Sequence, residues 1–523
     1  MKTINTSTFD FEKVIANDFL YVDKTAYIPK LLQASTECFL SRPRRFGKSL
    51  LVSTLKAFFQ GRRELFRGLA IDREVYDWKD YPVIHLDFTG CKINTAAELH
   101  TVLQDNLENF ARQQGVKLRG ENYSMRFGNL IGDVADAAKS GQVVVLVDEY
   151  DKPLMDNIAN VEHREEIRDV LKGFYSNIKK CEGRIRFAFV TGVSKFARVS
   201  LFSDLNNLTD LTLRPEFAGM LGFSEAEVRE YFADRIPLAA AACGLSEEAL
   251  MAKLLKWYDG YRFSKAETHV CNPVSLASFF ANGYEFANYW DDTGTPSVLL
   301  KLGRHQGYDY EAALEETYDE GIFAAYELDR IDLTGMLWQT GYLTIKEVRQ
   351  SEFGARYRLD FPDLEVRQTF LKRLVEIYGD LPQGSGTSQM ARFLEAIRQD
   401  DLDGFLTCFQ AFLARIPYEM HLRDEKYYQT VFYVVFSMMG IYIEAESHTN
   451  AGRIDAFIKT ATTVFIFEFK LNRRPVKAIS QIRDRRYYEK FLDCGLPIVL
   501  VGANFNSAKG QLDHWGKTRL AKD

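Results

Sequence analysis

Short apolar runs alternate with longer amphipathic segments along the N-terminal part of the chain. The runs have the length of buried strands, and the segments between them repeat apolar positions at helical spacing. The expected strands are Cys38–Leu40, Val83–Phe88, Val143–Val147 and Ile185–Val190, and two of the expected helices are Ala96–Gln114 and His163–Lys180. Strands that alternate with helices form a parallel sheet covered on both faces. The pattern predicts one α/β domain over residues 1–223.

The pattern becomes helical after this domain. Ser224, followed three residues later by Glu227, has the form of a capping box at a helix start. We expect a helical lid region over residues 224–331. Residues 332–381 then predict a winged-helix-like unit, because a helix is followed by two strand-like runs. These elements are Leu333–Thr340, Tyr342–Val348 and Tyr357–Phe361.

A Gly- and Ser-rich stretch, residues 382–388, favours a linker because these residues lower the cost of disorder. Helices are expected beyond it at Gln389–Arg415 and Lys426–Met439, followed by strands and a last helix. Residues 389–523 are therefore expected to form a separate α/β domain.

The composition is that of a folded protein, with 46% hydrophobic and 26% charged residues among 523. The net charge of −6 excludes a globally basic, nucleic-acid-coating protein, so any such role depends on local patches. The seven cysteines form no CxxC pair, which argues against zinc ribbons and disulfide scaffolds. No run approaches the roughly 18 apolar residues of a membrane span, so we expect a cytoplasmic protein that does not bind membranes.

A phosphate-binding loop is indicated between the first strand and the next helix. Gly47-Lys48-Ser49 has the form of the end of a Walker A loop. Glycine lets backbone amides approach phosphate oxygens, Lys48 would reach the terminal phosphates of ATP, and the Ser49 hydroxyl would bind Mg²⁺. The expected nucleotide contacts are Arg45, Phe46, Gly47, Lys48, Ser49 and Leu50. Arg42 occupies the position at which the general Walker A pattern has its first glycine.

Two carboxylates follow a later apolar strand. Asp148 would hold the water shell of Mg²⁺, and Glu149 would polarise the attacking water. Because the ends of parallel strands meet at one crevice, both are expected near Lys48. Thr191, at the end of the next strand, would sense the γ-phosphate. Taken alone, the acidic strand also fits a buried strand that ends in a solvated turn.

Three arginines near these motifs have more than one interpretation. Arg44 and Arg45 would add positive charge against phosphate, face a neighbouring subunit or DNA, or form a solvated basic loop. Arg198 is a candidate arginine finger in a homo-oligomer, with a surface salt bridge as the alternative.

A second group of charges lies on two strand-like runs joined by a short turn. Side chains alternate along a strand, so Glu468 and Lys470 share one face while Phe465, Phe467 and Phe469 share the other, buried face. If the two runs pair as a hairpin, Asp455 comes near Glu468. Two carboxylates bind Mg²⁺ well, and a lysine stabilises charge on a phosphate. A surface hairpin with a local Glu–Lys pair is the alternative.

Five segments together resemble the predicted AAA-ATPase-like family of bacterial and archaeal proteins. They are Tyr21-Val-Asp-Lys-Thr25, Arg42-Pro-Arg-Arg-Phe-Gly-Lys-Ser49, Val147-Asp-Glu-Tyr-Asp151, Thr191-Gly-Val-Ser194 and Trp257-Tyr-Asp-Gly-Tyr261. In that family this form of the loop is usual, so the arginine at position 42 agrees with it. Members commonly carry a C-terminal domain similar to PD-(D/E)XK nucleases, and the resemblance covers nearly the whole chain.

The resemblance also implies a set of residues for the C-terminal site, written here as Asp455…Glu468-Phe469-Lys470. The PD-(D/E)XK pattern adds an acidic residue on the preceding helix and a glutamine on the following helix. The implied residues are Glu425, Asp455, Glu468, Lys470 and Gln481, with Glu444 and Glu446 as competitors for the first position. Asp455 and Glu468 would bind Mg²⁺, and the implied substrate is DNA.

The expected fold is therefore α/β. It comprises an N-terminal P-loop AAA-type domain with a parallel sheet, a helical and winged-helix-like middle, and a C-terminal restriction-endonuclease-like domain. A basic cluster follows the C-terminal motif and contains two tyrosines, which suits a nucleic-acid backbone with stacked bases. An amphipathic, solvated helix face is the alternative. The cluster comprises Lys470, Arg473, Arg474, Lys477, Arg483, Arg485, Arg486 and Lys490, with Tyr487 and Tyr488.

Two functions fit these motifs. In the first, ATP binding or hydrolysis regulates or drives a Mg²⁺-dependent nuclease that acts on DNA. In the second, the protein is a nucleotide-dependent switch whose C-terminal domain holds a partner or a nucleic acid without cutting it. The two hypotheses differ in what Asp455, Glu468 and Lys470 do.

Overall fold

The computed structural model describes residues 1–158, 160–195, 201, 207–290, 295–324, 332–416, 425–450, 453–472, 474–506 and 511–520. The chain forms two compact units. Unit 1 comprises Met1–Trp290 and Thr317–Glu365, and unit 2 comprises Asp291–Glu316 and Val366–Asp523. Within the described ranges, no helix has both the length and the apolar composition that crossing a membrane requires.

Unit 1 is built on a five-stranded parallel sheet, as the alternating pattern predicts. Its strands are β1 (Glu37–Ser41), β2 (Val83–Asp87), β3 (Val143–Asp148), β4 (Ile185–Gly192) and β5 (Thr209–Asp210). The spatial order is β2-β3-β4-β1-β5. Because β4 lies between β1 and β3, the carboxyl ends of these three strands form one edge. Strand β5 has only two residues, too few for a sequence pattern to indicate it.

Helices connect and flank this sheet. They are α1 (Phe11–Ala16), α2 (Tyr27–Ala34), α3 (Lys48–Phe59), α4 (Ala96–Gln113), α5 (Tyr123–Ala137), α6 (Lys152–Asp156) and α7 (Val161–Lys180). Helix α7 begins two residues before the expected start, because the Asn160 side chain caps it by accepting a hydrogen bond from the amide of His163. Short 3₁₀ helices lie at Arg63–Phe66, Ala70–Arg73, Glu182–Arg184, Pro215–Phe217, Glu320–Phe323 and Glu489–Cys494.

The region after the parallel sheet is helical, as expected. Its helices are α8 (Glu225–Tyr231), α9 (Ile236–Cys243), α10 (Glu247–Tyr258) and α11 (Pro273–Ala281), and then α12 (Thr295–Gln306) and α13 (Tyr310–Glu315) in unit 2. The predicted capping box is confirmed, because the Ser224 amide donates to Glu227 and the Glu227 amide donates to Ser224 Oγ. The two bonds fix the start of α8.

A second, antiparallel sheet completes unit 1. It contains β6 (Thr317–Tyr318), β7 (Thr344–Ser351) and β8 (Gly354–Asp360) in the order β6-β8-β7, and α14 (Leu333–Thr340) precedes the β7–β8 hairpin. The helix and hairpin expected from the sequence are therefore present, with a third short strand added at the edge.

Unit 2 contains a mixed five-stranded sheet. The strands are β9 (Glu444–Asn450), β10 (Arg453–Lys459), β11 (Val464–Leu471), β12 (Ile498–Asn506) and β13 (Gln511–Arg519). They lie in the order β13-β12-β11-β10-β9, and of the described pairs in this sheet, β11 with β12 is parallel and the other three are antiparallel. The helices are α15 (Leu364–Tyr378), whose first two residues belong to unit 1, and α16 (Gly386–Arg398), α17 (Leu402–Leu413), α18 (Glu425–Met439) and α19 (Pro475–Asp484).

Strand β11 lies at the centre of this sheet and is buried on both faces. Phe467 packs against Phe405 of α17 and Phe436 of α18, with ring centroids 5.9 and 5.6 Å away. On the opposite face, Val464 and Ile466 belong to an apolar cluster with Ile482, Phe491, Ile498 and Leu500. The phenylalanine face is buried as predicted. The other face is covered as well, so the charged residues on it lie under a helix.

The expected linker is more ordered than its Gly and Ser content predicts. Helix α16 begins at Gly386, inside residues 382–388. Oε1 of Glu376, a residue only 4% exposed, accepts hydrogen bonds from the amides of Gly384 at 2.9 Å and Gly386 at 3.2 Å. A buried carboxylate on α15 thus holds the turn, and local sequence does not indicate such a partner.

The single helix expected at Gln389–Arg415 is in fact two helices, α16 and α17. Asp400 adopts a left-handed backbone conformation with φ 56°, and the Asp401 side chain accepts from the Gly404 amide at 2.9 Å as the cap of α17. Aspartate tolerates this conformation and caps helices well, so the break has a local cause that the apolar periodicity conceals.

Candidate functional sites

Residues 42–49, here called the phosphate loop, connect β1 to the first turn of α3 and have the form of a phosphate-binding loop. Gly47 precedes the first helical residue with φ 90° and ψ 22°, a conformation that favours glycine. A Cβ atom at Gly47 would meet no heavy atom within 4 Å, so the space beside it is open. Lys48 is 4% exposed, and its Nζ donates to the Pro43 carbonyl at 3.1 Å. The first amides of α3 have no partner within the helix, which makes its start a suitable place for an anion.

Arg42 anchors the loop. Its guanidinium is 1% exposed and donates to the carbonyls of Ser41 and Thr212, both at 2.9 Å, and of Phe217 at 3.2 Å. The guanidinium also lies over the Phe263 ring at 4.3 Å. Burial lowers the pKa of Arg42 to about 9. Arg42 is thus a structural residue, which explains why an arginine replaces the general glycine.

Asp148 at the end of β3 lies beside the phosphate loop. It is 1% exposed, and its Oδ1 accepts from the amide of Glu149 at 2.9 Å. Burial raises the pKa of Asp148 to about 6, while a hydrogen bond with Ser49 and the charge of Lys48 oppose the rise. Three candidate nucleotide residues are therefore gathered at one edge of the sheet. Glu149 follows in a left-handed conformation with φ 55° and is half-buried.

Thr191 is fully buried at the end of β4, and its hydroxyl donates to the Leu40 carbonyl at 2.8 Å. This hydrogen bond connects β4 to β1, so in this conformation the hydroxyl stabilises the sheet. Asp151, which sequence reasoning quoted only as part of a motif, is also fully buried. It accepts from the amides of Val193 and Ser194 and from the Ser194 hydroxyl, at 3.2, 2.8 and 2.6 Å. Asp151 thereby shapes the loop after β4.

Two further loop residues are held by the region after the sheet. The Phe46 ring is 1% exposed and packs against Tyr261 and Phe263, with centroids 4.7 and 5.3 Å away. Arg45 has φ 68°, and its Nη1 donates to the Tyr289 carbonyl at 2.7 Å. Leu50 is half-buried in the first turn of α3. Any contact of Phe46 with nucleotide would therefore use its backbone.

The second candidate site lies on β10 and β11. Asp455 stands directly opposite Glu468 in the antiparallel register of β10 and β11. Glu468 is fully buried, and Nζ of Lys470 lies 2.6 Å from its Oε1. The side chain of Asp455 falls outside the described part of the structure. Among the described residues, no group of three or more His, Cys, Asp or Glu side chains forms a metal cluster.

Helix α19 crosses the sheet beside this site. Gly502 on β12 is paired with Glu468, and a Cβ atom there would lie 2.3 Å from the Pro475 carbonyl and 3.0 Å from the Ala478 side chain. The glycine thus permits close packing of α19 beside Glu468. Gln481 is half-buried on α19, about one turn beyond Ala478.

The helix position before the motif is less defined. Helix α18 begins at Glu425, whose side chain is outside the described residues. Its competitor Glu444 pairs with Lys459 at 2.7 Å, at the end of β10 away from Asp455. The side chain of Glu446 is also outside the described residues. Only Glu444 can therefore be excluded on position.

The basic cluster after β11 is largely exposed. Arg474, Lys477, Arg483 and Arg485 are exposed, and Arg473 lies outside the described residues. Arg486 pairs with Glu489 at 2.8 Å. Lys490 lies over the Phe457 ring at 4.2 Å. Two members of the cluster thus make contacts within the fold, and four others are exposed. Arg198, the finger candidate, also lies outside the described residues.

Comparison with known proteins finds two matching family models, one in each α/β domain. Residues 5–202 match the family model described as predicted AAA-ATPase. Residues 423–515 match the PD-(D/E)XK nuclease superfamily. A protein of Azotobacter chroococcum mcd 1, described as "Uncharacterized protein in vnfD 5'region", is 37% identical over 500 residues, which cover 94% of this chain and 93% of that protein.

The chain belongs to the predicted AAA-ATPase family. Its C-terminal domain belongs to the PD-(D/E)XK nuclease superfamily. In this family member, the phosphate loop and Asp148 lie within the first matched range. The candidate residues Glu425, Asp455, Glu468, Lys470 and Gln481 lie within the second. The two domains support a nucleotide-dependent, nuclease-like function. Sequence reasoning missed the structural roles of Arg42 and Asp151, although both stand in the motifs that it quoted.

Proposed function

We propose that this predicted AAA-ATPase binds and hydrolyses ATP in unit 1 and cleaves DNA in unit 2 with Mg²⁺. The observation that carries the nuclease assignment is the fully buried Glu468, with Lys470 at 2.6 Å and Asp455 opposite it in register. A buried charge is costly, and a fold retains one mainly where it is paired and used. The proposal includes a cytoplasmic location and action as a homo-oligomer.

The N-terminal residues fit a nucleotide with a divalent cation. Ser49 and Asp148 supply the hard oxygen atoms that Mg²⁺ prefers, and they share a hydrogen bond. The open space beside Gly47 accommodates phosphate at the start of α3. In the proposed reaction, Lys48 moves from the Pro43 carbonyl to a phosphate oxygen, and Glu149 orients the attacking water.

The C-terminal residues fit phosphodiester cleavage. Asp455 and Glu468 would hold Mg²⁺, which supplies charge stabilisation at the scissile phosphate. Lys470 stabilises the negative charge that develops on the phosphate oxygens or orients the attacking water. Gln481 would orient that water from α19, and Glu425 would complete the acidic group from the start of α18. The exposed basic residues that follow β11 would bind the DNA backbone.

Asp455→Ala is the variant that tests this function in the full chain. We expect it to lower cleavage of DNA by about a hundredfold or more, because it removes a cation ligand, while ATP hydrolysis stays within about twofold of wild type. The measurements are gel assays with linear, circular and single-stranded DNA and with RNA, in Mg²⁺ or Mn²⁺, with and without ATP.

Lys459→Ala is a matched control on the same strand. Lys459 forms an exposed pair with Glu444 at the other end of β10, so its loss should leave both activities unchanged. Cleavage that survives Asp455→Ala would contradict the nuclease assignment. A protein that binds nucleic acid in a nucleotide-dependent manner, but cleaves none with either metal, would instead support the alternative function, a nucleotide-dependent switch.

A further inference from the structure

The chain passes from unit 1 to unit 2 after Trp290 and again after Glu365. These two exit points are tied together inside unit 1. Glu365 is fully buried, and its Oε1 accepts hydrogen bonds from the amides of both Tyr289 and Trp290, the latter at 2.8 Å. One carboxylate therefore holds the two segments where they leave the unit.

The same peptide segment contacts the phosphate loop. Arg45 donates to the carbonyl of Tyr289 at 2.7 Å, while the amide of Tyr289 donates to Glu365. Burial raises the pKa of Glu365, and the charge of Arg45 opposes that rise, so the two groups interact electrostatically. A guanidinium carries five N–H donors, so its bond to Tyr289 is compatible with a second contact to phosphate.

The segment between the phosphate loop and Glu365 is closely packed. Trp290 packs edge-on against Tyr342 with centroids 4.8 Å apart. Gly341, with φ 90°, has no room for a Cβ atom, which would lie 2.7 Å from Pro43 in the phosphate loop. Gly260 of the Trp257–Tyr261 motif is similarly close to the Pro362 carbonyl, at 2.2 Å from a Cβ atom. The motif thus joins the loop to the segment that leads to Glu365.

We propose that Glu365 is a positioning residue for the nucleotide site, which acts through the Tyr289 peptide on Arg45 and links bound phosphate to the chain's two exit points from unit 1. This inference deepens the proposed function and rests on ATP binding at the phosphate loop. The chain of contacts from Arg45 through the Tyr289 peptide to Glu365 is called the relay below. The Trp257–Tyr261 motif then has a role, which is to hold these residues in place.

The test is a double-mutant cycle in the full chain, read as the Kd of a fluorescent ATP analogue with Mg²⁺. Arg45→Ala and Glu365→Ala should each weaken binding about tenfold, because each breaks the same chain of contacts. The double variant should be only about ten- to twentyfold weaker than wild type, whereas independent effects would multiply to about a hundredfold. Glu365→Gln should stay within about threefold, because its amide oxygen still accepts both bonds.

Glu37→Ala is the matched control. Glu37 is also a buried carboxylate of unit 1, but it stands at the amino end of β1, so its loss should change stability without changing the Kd. If Glu365 were only a structural residue, Glu365→Ala would likewise change stability without changing the Kd. Kd values within about twofold of wild type for Glu365→Ala, or multiplicative effects in the cycle, would overturn the relay.

Amide hydrogen exchange on the wild-type chain gives a second readout that needs no variant at Glu365. ATP should slow exchange at the amides of Tyr289 and Trp290, and Arg45→Ala should remove that effect. Failure of the proposed function has a different signature, since wild type and Lys48→Ala would then both lack nucleotide binding. Normal binding with unchanged exchange at these two amides contradicts the relay alone.

Discussion

Three cations of the phosphate loop have different surroundings, although they are neighbours in sequence. Arg42 donates to three backbone carbonyls and lies over the Phe263 ring. Arg45 bonds to the Tyr289 carbonyl, and Lys48 bonds to the Pro43 carbonyl within its own loop. Of the three, Lys48 is the one that stands at the start of α3, next to Gly47. The three cations therefore have different partners within the fold.

Arg42→Gly, which restores the general Walker A residue, should destabilise the protein rather than improve it. The change leaves three buried carbonyls without their donor and a cavity beside Phe263, at a cost of roughly 3–5 kcal/mol in the free energy of unfolding. Urea unfolding followed by circular dichroism measures this cost. The half-buried neighbour Arg44 provides the control, since Arg44→Ala should cost less than about 1 kcal/mol. Equal stability of Arg42→Gly and wild type would show that the anchor is unnecessary.

At the scale of elements, the close approach of α19 to the sheet sets the environment of Glu468. Two glycines in register, Gly502 and Gly516, lie under the first turns of this helix. The two glycines differ in how much space a Cβ atom would have. A Cβ atom at Gly502 would lie 2.3 Å from the Pro475 carbonyl, whereas one at Gly516 would make ordinary contacts at 3.7 and 3.8 Å. Only Gly502 is therefore required by packing.

Gly502→Ala should force α19 away from β11 and β12. We expect a loss of roughly 2–3 kcal/mol in stability, because backbone atoms rather than a flexible side chain meet the new methyl group. DNA cleavage should fall as well, since the helix carries Gln481 and covers Glu468. Calorimetry and the cleavage assay measure the two effects. Gly516→Ala is the matched control, and a loss as large as that of Gly502→Ala would argue against this packing explanation.

At the scale of the molecule, each unit is assembled from two separate parts of the chain. The residues of the candidate nucleotide site all lie in unit 1, and those of the candidate Asp455–Lys470 site all lie in unit 2. The chain passes between the units three times, after Trp290, Glu316 and Glu365. The finer division into segments 1–223, 224–331, 332–381 and 389–523 stays a prediction. Any effect of ATP on cleavage must act from one unit to the other.

Lys48→Ala tests this coupling. Wild type at an ATP concentration a hundredfold above Kd should gain about 2.7 kcal/mol of stability, and the variant should gain none because its site no longer binds phosphate. If ATP regulates cleavage, DNA cleavage by Lys48→Ala should be the same with and without ATP and should equal the ATP-free rate of wild type. Thermal unfolding and the cleavage assay provide both readouts. Stimulation by ATP that persists in the variant would disprove coupling through this loop.

Local pattern was sufficient for the main elements. Apolar runs predicted the long strands of the parallel sheet, since a buried strand requires them, and helical spacing predicted α4 and α7. Strand alternation put Glu468 and Lys470 on one face, and their side chains form an ion pair there. Such features depend on residues close in sequence. The two-residue β5 and the break between α16 and α17 gave too weak a periodic signal to be predicted.

The amino-acid sequence by itself determined the two α/β sheet domains and the order of the motifs, because strand and helix periodicity and loop glycines act over a few residues. Only the tertiary structure decided what the buried polar groups do. Arg42 meets the Thr212 carbonyl 170 residues away, and Glu365 meets the Trp290 amide 75 residues away. A buried charge needs hydrogen-bond partners, and these partners come from segments that are distant in sequence. A local sequence pattern therefore does not identify them.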